Sequence, residues 1–136
     1  METTTIYAGK QIIKGSVVLP LSKSISNRIL MINALSSGSV KYNEVSDADD
    51  TILMAALLDQ IKAETKHQLF AGNAGTVFRF ITSYLAITNG EWILDGDARM
   101  RQRPVQPLVE ALTSLGADIQ YTDKQGYAPL RIHGKP

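Results

Sequence analysis

Apolar and polar positions change period several times along the chain, and each change marks an element. Residues 6–19 are rich in β-prone side chains (Ile12, Ile13, Val17, Val18, Leu19). Gly9 and Gly15 punctuate the run and Pro20 ends it, which predicts strand. From Ser22 the spacing turns helical. Ile25, Ile29, Leu30, Ile32 and Leu35 share one face, Ser22 or Ser24 is placed to cap, and Gly38 stops the helix. Residues 40–45 alternate like a strand. Asp47, Asp49 and Asp50 then precede a second helical run over 52–61, carried by Leu53, Ala56, Leu57 and Ile61. Residues 67–70 form a short strand candidate.

The pattern then recurs. Gly72-Asn73-Ala74-Gly75-Thr76 opens a helix through Phe78, Ile81, Leu85 and Ile87, and Gly90 stops it. Trp92-Ile93-Leu94 reads as strand, and 96–103 as a polar loop. Pro104 is expected at the first position of a helix with Leu108, Val109, Leu112 and Leu115 on one face, capped by Gly116. Residues 118–122 and 130–133 suggest a closing strand pair. Arg28 lies ten residues before Gly38, and Arg79 eleven before Gly90. We read a diverged duplication of an α/β unit of about fifty residues, with repeat one at 21–70 and repeat two at 71–136.

Bulk composition narrows the chemistry. The 136 residues are 44% hydrophobic and 20% charged, with a net charge of +1, which suits one compact domain or a piece of a larger one. No basic stripe interleaved with aromatics is present, so no nucleic-acid partner is expected. The chain has no cysteine, which removes disulfides, thiolate nucleophiles and cysteine–metal sites and fits a cytoplasmic location. No stretch predicts a signal peptide or a membrane span.

Three segments carry candidate chemistry. In Leu21-Ser22-Lys23-Ser24-Ile25-Ser26-Asn27-Arg28, a helix start crowds free N–H groups, hydroxyls and two cations together, a combination suited to phosphate. The plainer reading is a serine-rich cap with two solvated cations. The glycines of 72–76 allow close approach to backbone, Thr76 is a candidate cap and Arg79 adds a cation, although a tight turn would look the same. In Arg99-Met100-Arg101-Gln102-Arg103-Pro104, an extended chain would place the three arginines on one side, where they fork onto carboxylate or phosphate or pair with Asp95 and Asp97. Asp47, Asp49 and Asp50 suit a helix's first turn better than a metal. His67 and His133 are isolated, so neither a metal nor a cofactor is expected.

Taken in order, these segments resemble the three signatures of the 5-enolpyruvylshikimate-3-phosphate synthase family. They are Leu21 to Arg28, then Leu-Phe-Ala-Gly-Asn-Ala-Gly-Thr ending at Thr76, then Gly-Asp-Ala-Arg-Met-Arg-Gln-Arg-Pro ending at Pro104. The resemblance runs from about Lys14 onward. It implies an α/β (α+β) enolpyruvyl-transferase-like fold of two domains, each built from βαβαββ units, of which about two lie here. It implies that residues 1–20 supply strands to the far domain, and that 21–136 form an incomplete amino-terminal substrate-binding domain.

It also implies a reaction: transfer of the enolpyruvyl group of phosphoenolpyruvate to the 5-hydroxyl of shikimate 3-phosphate, within the shikimate pathway. Carried over by position, Lys23 touches both substrates and is the one catalytic candidate. Ser24 and Arg28 hold shikimate 3-phosphate, and Asn73, Gly75, Thr76 and Arg103 hold phosphoenolpyruvate. The remaining carboxy-terminal part of the enzyme becomes a partner, and the isolated chain is expected to be inactive. Two departures stand out. Phe80 follows Arg79 where the family has proline, and a hairpin common in the family is absent or trimmed between Leu58 and Leu69. Alternatives are a non-catalytic anion-binding module, or the related UDP-N-acetylglucosamine enolpyruvyl transferase, whose reactive cysteine is missing here.

Overall fold

The computed structural model describes residues 3–5, 9, 14–63 and 67–135. Helix α1 (Lys23–Leu35) begins at Ser22, whose side chain accepts from the Ile25 N–H at 3.4 Å. It ends where Ser37 takes φ 55° and the Gly38 N–H returns to the Asn33 carbonyl at 2.8 Å. Helix α2 (Asp49–Lys62) carries Asp49 and Asp50 in its first turn and Lys62 in its last, the order its dipole favours.

The remaining elements alternate. They are β1 (Gln68–Phe70), α3 (Gly75–Ala86), β2 (Gly90–Asp95), a single 3-10 turn (Met100–Gln102), α4 (Gln106–Ser114), β3 (Asp118–Tyr121) and β4 (Leu130–Gly134). From β1 onward this is one βαβαββ unit. Its sheet runs in the order β1-β2-β4-β3, with β1 parallel to β2 and the other pairings antiparallel. Leu69 lies opposite Leu94 and Trp92 opposite Ile132, so alternate side chains point inward from three strands.

Helix α3 lies at the centre of the packing. It touches β2 and β4 on one side and both α1 and α2 on the other. Val77, Phe78, Ile81 and Leu85 are wholly buried there, and Leu30, Met54, Leu57 and Ile61 from the first two helices join the same core. The single core thus ties the first half of the chain to the βαβαββ unit.

Two strand expectations differ from the structure. Of the run at 6–19, residues 6–8 and 10–13 lie outside the described residues; 14–19 form no strand, and Val17, Val18 and Leu19 are 83%, 94% and 78% exposed. Residues 40–45 are irregular as well. β-propensity has effect only where a neighbouring strand completes the ladder, and among the described residues neither segment has one. The second segment is held by a side chain instead: the Ser46 N–H donates to Ser26 Oγ at 2.8 Å, fastening the approach to α2 onto α1. Helix α4 also starts later than expected. Pro104 precedes it in the loop, and Pro107 takes the early helical position.

Candidate functional site

Parallel strands β1 and β2 end side by side, and the loops that follow them are bonded together. The Ala71 N–H reaches the Asp95 carbonyl at 2.8 Å and the Asp97 N–H the Gly72 carbonyl at 2.9 Å. The carboxyl ends of parallel strands are where open α/β sheets form ligand crevices. Here the crevice is a cavity of about 300 Å³ lined by Lys23, Asp50, Asn73, Ala74, Gly75, Thr76, Arg79 and Arg103. Three cations and one carboxylate leave it with an excess of two positive charges.

Each side chain arrives for a local reason. Lys23 is the first residue of α1, and its Nζ lies 3.0 Å from Asp50 Oδ2 at the start of α2. Helix α3 has Ala74 as its N-cap and no side-chain cap, so its first N–H groups are free to meet an anion. Thr76, a candidate cap, lies inside the helix and lines the cavity. Arg79 donates from Nη1 to the Gly75 carbonyl at 2.9 Å and from Nη2 to the Pro104 carbonyl at 3.0 Å. Arg103 donates to the Asn73 carbonyl at 2.8 Å. Gly75 leaves room for both guanidinium groups. A β-carbon there would sit 2.7 Å from Arg103 Nη1 and 2.8 Å from Arg79 Nη1.

Five of the expected site residues therefore meet: Lys23, Asn73, Gly75, Thr76 and Arg103. Ser24 and Arg28 do not line this cavity. Arg28 folds back to donate to the Ser24 carbonyl at 2.8 Å, with its guanidinium carbon 6.0 Å from the centre of the Phe80 ring. Ser24 and Arg28 are exposed on the same helix start, Ser24 next to Lys23 and Arg28 about one turn further along.

The arginine run is not extended. The Asp97 carboxylate accepts from the Arg99 and Met100 N–H groups, both at 2.9 Å, and turns the chain into the 3-10 segment, with Met100 buried. The three arginines consequently diverge. Arg101 pairs with Asp95 through Nε at 3.0 Å and through a second, shorter contact from Nη2. That hydrogen bond first, and the carboxylate's charge second, raise the Arg101 pKa above its already high value. Only Arg103 reaches the cavity.

Asp50 is the residue that sequence reasoning assigned merely to a helix turn. Its place in the cavity depends on a contact across 27 residues, for which the local pattern holds no signal. Among the described residues no helix is long and apolar enough to cross a membrane.

Comparison with known proteins identifies the family. The family model for EPSP synthase (3-phosphoshikimate 1-carboxyvinyltransferase) matches residues 7–68 and 60–136. A 3-phosphoshikimate 1-carboxyvinyltransferase of Bacteroides fragilis is 46% identical over 123 residues, covering 90% of this chain and 29% of that protein. One from Laribacter hongkongensis is 42% identical over 142 residues, covering 89% of this chain and 33% of that one. Similar coverage over a longer alignment means that the Laribacter protein carries roughly twenty positions that this chain lacks. The two family matches overlap at 60–68, from the last turn of α2 to the first residue of β1. Two structures of EPSP synthase from Acinetobacter baumannii share the fold, with TM-scores of 0.69 and 0.71 at 22% and 23% identity, covering 88% and 93% of this chain and 32% and 33% of those. The chain spans about a third of the length of the relatives it matches. With matches to the family model running from residue 7 to residue 136, the chain belongs to the EPSP synthase family.

Proposed function

We propose that this chain forms one wall of an active site that transfers the enolpyruvyl group of phosphoenolpyruvate to the 5-hydroxyl of shikimate 3-phosphate with release of phosphate. The observation that carries the reading is the polar cavity in which residues of three separated motifs meet around an uncapped helix start. Both substrates are anionic, and the cavity offers three cations and free backbone donors at fixed positions.

In this reading Arg103 and the α3 start, with Asn73, Gly75 and Thr76, receive phosphoenolpyruvate. Ser24 and Arg28 receive shikimate 3-phosphate on the exposed side of the α1 start. Lys23 stands between them and serves both. Transfer forms a bond from the 5-hydroxyl oxygen, which loses its proton, to the central carbon of phosphoenolpyruvate while the methylene carbon gains a proton. Phosphate then leaves the central carbon and the new methyl group gives up a proton, which restores the double bond. Pre-placed charges stabilise such a tetrahedral intermediate without reorganising during the reaction. Asp50 holds Lys23 by its amine, which keeps the charge at the junction of the two substrate positions.

The residues that move protons are assigned to the remaining two thirds of the enzyme, so this chain alone binds without turning over. Titration calorimetry of the chain with each substrate tests the reading, alongside a coupled phosphate-release assay. Binding by the wild type, a loss on Lys23→Ala of at least about tenfold, and no turnover are expected. Equal binding by Lys23→Ala would remove the proposed site, and sustained phosphate release by the isolated chain would remove the division of labour.

A further inference from the structure

Three arginines fall within five residues beside one small, positively charged cavity, yet of the three only Arg103 lines it. The arrangement that selects it lies on the other side of the loop. The Asp95 carboxylate, at the end of β2, accepts three hydrogen bonds. One comes from the Gly96 N–H at 2.7 Å, and two come from the forked guanidinium of Arg101. A fork on a carboxylate fixes orientation as well as distance. Arg101 is therefore drawn back toward the sheet and away from the cavity.

The same pairing closes a ring of contacts around the loop. The Asp95 carbonyl accepts from Ala71, and Gly96 packs so tightly that a β-carbon would lie 2.6 Å from the Gly72 carbonyl oxygen and 2.5 Å from the Met100 β-carbon. Arg103 follows two residues after Arg101, in extended backbone with φ −95° and ψ 124°. Its reach to the Asn73 carbonyl over Gly75 depends on where the turn ends.

We propose that Asp95 is a positioning residue for the anion site: by clamping Arg101 it fixes the turn from which Arg103 reaches over Gly75, and it keeps a competing cation out of the cavity. The proposal rests on the reading of that cavity as the phosphoenolpyruvate site. Asp95 touches no substrate; it acts through the loop.

A brace and a mere charge make opposite predictions. If only charge mattered, Asp95→Asn would strengthen anion binding and Arg101→Gln would weaken it. A brace is lost in both, so each single variant weakens binding of phosphoenolpyruvate to the chain on the order of three- to tenfold, and the double variant is no worse than either. Inorganic phosphate serves as a second probe in the same titrations, with circular dichroism confirming that each variant is folded. Unchanged or tighter binding by Asp95→Asn overturns the proposal, as does an additive double variant. Side-chain order gives a readout that needs no ligand. The heteronuclear NOE of the Arg103 Nε–Hε group falls in Asp95→Asn and in Arg101→Gln, and an unchanged value overturns the brace. Should wild type bind neither probe, the cavity assignment fails, and the NOE alone still decides for or against Asp95 as the brace of Arg103.

Discussion

Replacing Gly75 with alanine separates the site from the fold more cleanly than any other substitution. The added methyl would lie 2.7 Å from Arg103 Nη1 and 2.8 Å from Arg79 Nη1, where ordinary contact begins at 3.4 Å. Both obstacles are the ends of flexible side chains, so each guanidinium retreats by about 0.6–0.7 Å and the backbone stays in place. That retreat stretches the Arg103 bond to the Asn73 carbonyl from 2.8 Å toward about 3.5 Å, past useful hydrogen-bond length. An ionic hydrogen bond is worth about 1.5 kcal/mol at its lower end, appropriate for an exposed arginine, and two arginines are displaced. The expected loss is about 1.5–3 kcal/mol of anion binding, roughly ten- to a hundredfold in affinity. Stability should move the other way or hardly at all, since alanine gains up to about 1 kcal/mol over glycine in a helix, and less in the first turn. Calorimetry with phosphoenolpyruvate and thermal unfolding on the same sample make the test. Unchanged affinity would refute the steric argument. A fall in Tm of more than about 4 °C would show that the backbone had moved instead.

Two further outcomes follow from packing and burial. Phe78 is wholly buried on the helix that touches both the sheet and the first two helices, so Phe78→Ala should cost about 3–5 kcal/mol in urea unfolding; a loss under about 1 kcal/mol would deny α3 its central place. Burial first, and the charge of Glu110 second, raise the Tyr121 hydroxyl pKa above its usual 10.0. The unfolded tyrosine ionises first, so stability is retained below pH 10 and falls as pH climbs toward the folded value. Denaturation midpoints from about pH 8 to about pH 11 should fall more steeply for wild type than for Tyr121→Phe, and parallel curves would contradict the shift.

Much of this was readable from residue order, and the failures share a cause. Helix starts at Ser22, Asp49 and Gly75 were visible because caps, acidic first turns and glycines act locally. Strands β2 and β4 were visible because their inward positions alternate within one short span. Residues 40–45 alternate just as well, yet have no described neighbour to pair with, and alternation says nothing about partners. The arginine run misled for a different reason. Spacing alone predicts a shared side only in extended chain, and the Asp97 carboxylate bends the chain. Asp50 and Asp95 lay in plain view as acids. Asp95 was legible as a partner for the arginine run, though not that it would take Arg101, whereas the contact of Asp50 with Lys23 left no local sign. Two carboxylates thus organise the cations around the proposed anion site.

The core that joins α1 and α2 to the βαβαββ unit has a thermodynamic consequence for the ligand. Lys23 belongs to one half of the chain, and Asn73 and Arg103 belong to the other. An anion spanning them binds only when the halves are docked, so occupancy and docking are linked equilibria. At a hundredfold excess over its dissociation constant, such a ligand adds about 2.7 kcal/mol to the docked form. Such a ligand would then act as a clasp, and exchange protection measured in α1, far along the chain from Arg103, would report on whether the site is filled.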